Sequence, residues 1–170
     1  MQIKDALLAE LEQEAGATRR VLEQIPEEKL DWRPHEKSMS LGQLAFHVAR
    51  IPGGISALLA GETLDVSEAN FTTPQPGSRA EILSALDEGI SAAKDVLGGL
   101  DDARAASTWT LTRGSETLLS MPKVSLARSL LLNHWYHHRG QLTVYLRLLN
   151  IPVPAVYGRS ADEDPLGIER

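Results

Sequence analysis

The residues with the greatest chemical reach are histidines, and four of the five fall in segments with a helical period. His134 and His138 are four apart, so their imidazoles stack one turn above each other on one helix face. That spacing lets two imidazoles reach one metal ion, as on zinc-peptidase helices. Leu130 precedes them on this face and Gln141 and Tyr145 follow it, which turns the face toward a helical core. His47 lies on a second amphipathic segment. Imidazoles left unpartnered in an apolar core are costly, so a pair on a core stripe with a third on another core helix points to a shared ligand. His137, three residues from His134, stays open between alternate ligand, supporting group and surface residue. His35 sits in a loop and reads as solvated.

Other chemistries are absent from the sequence. The glutamate of a His-Glu-x-x-His peptidase is missing, because Trp135 and Tyr136 follow His134. Neither a Gly-x-Ser-x-Gly elbow nor a phosphate loop nor a dinucleotide glycine fingerprint occurs. With no cysteine, disulfides, thiolate zinc sites, iron–sulfur clusters and a cysteine nucleophile are all excluded. Three imidazoles form a borderline donor set that suits zinc, nickel, iron or copper and leaves a coordination position open. Such a site favours an anionic ligand, thiolate or hydroxide, because neutral ligands leave the ion its full charge. Glu14 and Glu116 are candidates to accept the histidines' remaining N–H groups. Trp32, Trp109 and Trp135 are candidates to line a pocket.

The chain has 170 residues, 42% of them apolar and 24% charged, which fits one globular domain over residues 1–170. A net charge of −6 opposes binding to a nucleic-acid backbone. No run approaches the roughly 18 apolar residues of a membrane span. The N-terminus, MQIKDALLAELEQEAG, carries acids where a signal peptide is apolar. These features predict a cytoplasmic protein with a small-molecule substrate and neither a membrane nor a nucleic acid as partner.

Four segments must position the histidines. The first runs from about Ile3 to Ile25, with Ile3, Leu7, Leu11, Ala15, Thr18, Leu22 and Ile25 on one stripe, and stops before Pro26. Ser40 and Gln43 form a capping box that opens the second, whose stripe is Leu41, Leu44, Val48, Ile51, Ile55 and Leu58. Pro52-Gly53-Gly54 predicts a kink or short break there. Residues 61–78 read as a loop. Ser78 and Glu81 form another box before the third segment, which buries Ile82, Leu83, Leu86, Ile90, Ala93 and Leu97 and ends at Gly98-Gly99. Residues 104–122 offer either a small hairpin turning at Arg113-Gly114 or an ordered loop. The fourth segment, about Lys123 to Asn150, is the longest. The fold class is all-α: a four-helix bundle with a long loop or small hairpin before the last helix.

Two stretches carry a resemblance. Residues 131–164, LLNHWYHHRGQLTVYLRLLNIPVPAVYGRSADED, contain a His-x-x-x-His-Arg-Gly-Gln run on the last helix. Residues 32–49, WRPHEKSMSLGQLAFHVA, place a His on helix two after a Trp-Arg-Pro loop. Together they resemble the DinB/YfiT-like superfamily over nearly the whole chain. The departures are Arg159, where a proline is expected, and Pro52-Gly53-Gly54 one turn after His47. The resemblance implies a four-helix bundle and a divalent ion (nickel, zinc, iron or manganese) held by His47, His134 and His138. It also implies a homodimer and a small-thiol-dependent S-transferase, with Gln141 or Tyr145 orienting the electrophile. A hydrolase using metal-activated water and a non-catalytic metal-binding module are the alternatives. Arg139 points away from His138 and is expected to tie the helix to a neighbour or to the tail acids.

Overall fold

The structure is a computed structural model that describes residues 2–165 and Gly167. Its main helices are α1 (Ile3–Glu23), α2 (Leu41–Ala60) and α3 (Arg79–Gly98). After a short α4 (Asp102–Ala106) the chain forms a hairpin and then a composite last helix. That helix comprises α5 (Lys123–Leu126), a π-helical stretch (Ala127–Asn133) and α6 (His134–Leu148). Both α1 and α2 pack on α3 and on α6, so the two sequential helices take opposite corners of the bundle. Residues 24–40 carry the chain across.

The start signals act locally as the sequence predicts, with one difference. Ser40 Oγ accepts from the Gln43 N–H at 3.1 Å and Gln43 Oε1 accepts from the Ser40 N–H at 3.0 Å. At α3 only half the box forms. Ser78 Oγ accepts from the Glu81 N–H, while Glu81 Oε2 takes the N–H of Gly77 at 2.7 Å. The core stripes of α1 and α3 are buried at Leu7, Leu11, Leu22, Ile82, Leu86 and Leu97, whereas Ile3 is exposed and Ala15, Leu83 and Ile90 are half-buried at their edges.

Several expectations need correction. The chain is not strictly all-α. Residues 104–122 form the hairpin of β2 (Thr108–Arg113) and β3 (Glu116–Pro122), and Thr63–Asp65 joins it as β1 in the order β1-β2-β3. β1 runs parallel to β2 with Leu64 opposite Leu111, and Trp109 pairs with Met121 across the hairpin. A hairpin leaves one edge of β2 with unpaired backbone groups, and a passing extended segment satisfies them. Three residues are too short to show alternation, so residues 61–78 read as loop. Gly114 turns the hairpin at φ 57°, a left-handed conformation that suits glycine.

Pro52 does not interrupt α2, which is continuous from Leu41 to Ala60. The first glycine after it serves packing instead, while a Cβ on Gly54 would meet nothing. A Cβ on Gly53 would lie 3.0 Å from Gly89 Cα, so α2 and α3 touch backbone to backbone there. The buried stripe also moves. Ser56 and Leu59 enter the core, leaving Ile55 and Leu58 half-buried. The last helix is not uniform either. A π turn holds an extra residue, so the stretch before His134 shifts the face that α6 presents to α2. Among the described residues, no helix is long and apolar enough to cross a membrane.

Candidate metal centre

The structure brings His47 of α2 together with His134 and His138 of α6. One ring nitrogen from each lies within 4.8 Å of the others, and all three residues are half-buried. His47 Nε2 stands 3.4 Å from His134 Nε2. The His138 ring lies edge-on to both others, with centroids 4.6 Å away in each case. Adjacent to this cluster, the Trp135 indole N–H donates to the Val48 carbonyl at 2.9 Å. That bond joins the residues next to His134 and His47 and fixes the register of the two helices.

The electrostatics keep the trio neutral. Burial is the largest cause of a fall in the His47 pKa to about 4, followed by the repulsion of His138, His134 and Arg50. Burial also lowers the pKa of His134 and of His138. A neutral imidazole has one lone pair to give. In His138 the tautomer is set, because its Nδ1 lies 2.7 Å from Gln141 Oε1. Since Oε1 only accepts, Nδ1 carries the proton and Nε2 keeps the lone pair. His134 Nδ1 is buried without a hydrogen-bond partner among the described residues. The Leu130 carbonyl, one turn back, opposes the fall in its pKa without meeting Nδ1 in hydrogen-bond geometry.

The other candidates separate. Gln141 belongs to the cluster as the partner of His138. Tyr145 does not: its hydroxyl donates to the Met39 carbonyl at 3.3 Å and its ring meets Trp32 edge-on at 5.7 Å. Glu14 is taken by Arg139. The two form a buried ion pair at 2.6 Å, and Arg139 also donates to Thr18 Oγ1 and to Tyr157 Oη. Tyr157 in turn donates to Glu14 Oε2 at 2.9 Å, so Arg139 ties α6 to α1 and to the tail. Glu116 is exposed at the start of β3, opposite Arg113. His137 is exposed and outside the trio, and His35 is exposed with Nδ1 accepting from the Lys37 N–H.

A groove of about 700 Å³ opens beside the trio, and His47 and His134 form part of its wall. None of the three tryptophans lines it. Trp109 and Trp135 are core residues, buried at 1% and 0% exposure, and Trp32 packs on Tyr145. The groove is instead lined by Phe46, Arg50, Ile55 and Leu58 of α2, Glu88 of α3 and Phe71 of the connecting loop. Sequence reasoning missed these residues. Position 50 follows His47 by three and so shares its helix face, a signal the chain does carry. The loop contribution has no such local sign.

The trio fits a divalent ion. Tetrahedral coordination at metal–nitrogen distances of about 2.0–2.1 Å separates ligand nitrogens by about 3.4 Å, the spacing of His47 and His134. In the tautomers that turn both Nε2 lone pairs inward, a cation between them removes their mutual repulsion. A matching family model covers residues 1–166 and is that of the DinB family. The chain is 27% identical over 166 residues to YrdA of Bacillus subtilis, described as uncharacterised, covering 95% of this chain and 92% of that one. Among solved structures it resembles a DinB-like protein from Bacillus cereus with a TM-score of 0.69 at 24% identity, covering 92% and 98% of the two chains. It also resembles YfiT from Bacillus subtilis, described as a probable metal-dependent hydrolase with an unusual four-helix bundle topology. That match has a TM-score of 0.63 at 18% identity and covers 86% of this chain and 87% of that one. These structural likenesses establish the bundle fold. Fold, motif run and full-length match agree: the chain belongs to the DinB family.

Proposed function

We propose that the chain is a metal-dependent hydrolase of small molecules, with a divalent ion held by His47, His134 and His138. The observation that carries this reading is the convergence of three neutral imidazole nitrogens at the wall of an open groove. The description of YfiT as a probable metal-dependent hydrolase supports it. A divalent ion in this setting supplies Lewis acidity, lowering the pKa of water or a thiol and polarising a carbonyl. The chain's own contribution is placement. Burial keeps the imidazoles unprotonated and available at neutral pH. Gln141 holds the His138 ring in one tautomer and orientation, as hydrogen-bonded partners of ligating histidines do. The groove walls shield a bound molecule from solvent on the side of Phe46, Ile55 and Leu58.

Small-thiol transfer is the second reading, and one observation favours it. Among the described residues no carboxylate joins the trio, so an ion there keeps its full charge and favours an anionic partner such as a thiolate. Cobalt-substituted protein separates the two. Metal-dependent cleavage of an ester or amide panel, with no spectral change on adding thiols, supports the hydrolase. A sulfur-to-metal charge-transfer band with small thiols and no hydrolysis overturns it in favour of the transferase.

A further inference from the structure

The α2 wall of the groove is one helical stripe. His47, Arg50, Ile51, Gly54, Ile55 and Leu58 each lie three or four residues from another of the set, and all line it. Arg50 is the one cation among the lining residues. Its guanidinium rests over the Phe46 ring at 5.4 Å, and among the described residues it has neither an ion pair nor a hydrogen bond. Arg19, Arg20, Arg128, Arg139 and Arg147 all face carboxylates; Arg33 and Arg113 are as open as Arg50 among the described residues but do not line the groove. An arginine held on an aromatic face with its donors open is a ready fork for a carboxylate.

The rest of the groove constrains what that anion is attached to. Eight residues separate Arg50 from Leu58, about 12 Å along the helix. Ile55, Leu58, Leu64 and Phe71 make this stretch apolar, and Phe71 is 76% exposed on the loop that borders it. Gly53 and Gly89 keep the floor free of side chains. Glu88 of α3 also lines the groove, and its Oε1 accepts from the Ser84 hydroxyl. A carboxylate on that wall disfavours a dianion, so one arginine here suits a single negative charge.

We infer that the groove binds an amphipathic monocarboxylate, its carboxylate on Arg50 and its apolar stem directed toward Leu58, and that Arg50 selects this class. The bonds nearest the carboxylate then lie beside His47, one turn back on the same stripe. The inference rests on the proposed hydrolase reading for where reaction occurs, not for where the ligand binds.

The test is calorimetric titration of the metal-loaded protein with N-octanoylglycine and with its neutral counterpart, N-octanoylglycinamide. The acid binds about tenfold more tightly in the parent protein, the scale of one charge-assisted hydrogen-bonded contact. Arg50→Gln removes that ratio, and Arg50→Lys retains part of it. Phe71→Ser weakens both probes alike and leaves the ratio intact. Equal binding of acid and amide, or binding of neither, overturns the inference. So does a ratio that persists in Arg50→Gln, because the carboxylate is then held elsewhere, an ion included. Metal content measured on the same samples keeps the two readings apart. An Arg50-dependent ratio in protein that retains no metal sustains the groove and defeats the metal centre. Metal held by the three histidines without such a ratio does the reverse.

Discussion

The indole N–H of Trp135 donates to the carbonyl of Val48 at 2.9 Å, and Pro52 explains why that carbonyl is free. In an α-helix the N–H of residue 52 would bond the carbonyl of residue 48, but proline has no N–H. The proline that predicts a break in α2 thus exposes an acceptor inside the core, and a tryptophan from α6 satisfies it. The same bond holds His47 and His134 in register.

Trp135→Phe therefore leaves a buried carbonyl unpaired and should destabilise the protein by about 1–3 kcal/mol beyond the packing loss. Pro52→Ala restores an intrahelical donor to Val48, so the Trp135→Phe penalty should shrink in that background. Urea unfolding of the four proteins of this cycle measures the coupling. Additive effects would show that the bond contributes little.

Replacing His47, His134 or His138 with Ala should each lower bound metal strongly, while His35→Ala and His137→Ala leave it unchanged. Only the first three converge within ligand distance. Elemental analysis of untagged protein decides it. Full metal occupancy in His134→Ala would remove the assignment.

Acid should destabilise the metal-free protein through the trio. Burial lowers the three pKa values, that of His47 to about 4 from an ordinary 6.5. Above pH 6.5 neither folded nor unfolded histidine is protonated, and the stabilisation is complete. Between about 6.5 and 4 the unfolded chain binds protons that the folded chain refuses, so stability falls as pH falls. Urea midpoints across this range should drop less steeply for His47→Gln. Parallel profiles for parent and variant would contradict the burial argument.

The Arg139–Glu14 pair is buried at 2% and 5% side-chain exposure. Removing one partner strands the other charge, and Glu14→Gln should cost about 3–5 kcal/mol. Tyr157→Phe, which removes a hydroxyl from the same network, should cost less. Thermal unfolding checks the order. A Glu14→Gln protein as stable as the parent would show that the pair is not held as described.

Chelation should leave the helical circular dichroism of the bundle intact and lower only the thermal midpoint. The cores of α1, α2, α3 and α6 are buried without reference to the trio, unlike a zinc finger, whose metal supplies the folding energy. Loss of the helical signal on chelation would overturn this.

The sequence by itself determined what is local. Residues three and four apart share a helix face whatever surrounds them, so the stripe of α1, the Ser40–Gln43 box and the stacking of His134 on His138 follow from spacing alone. The motif run around His134 and the loop before His47 also sufficed to place the chain among helical-bundle relatives. Tertiary structure decided everything that depends on a partner far along the chain. Glu14 faces Arg139 rather than a histidine because a buried guanidinium is the stronger claimant for a carboxylate. β1 is a strand only because β2 offers an unpaired edge. Ile55 and Leu58 line a groove because Gly53 and Gly89 bring α2 and α3 into contact and turn Ser56 and Leu59 inward. That His47 meets the pair on α6 depends on the helix register set by Trp135 and Val48, and a hydrogen bond across 87 residues leaves no periodic trace in the chain.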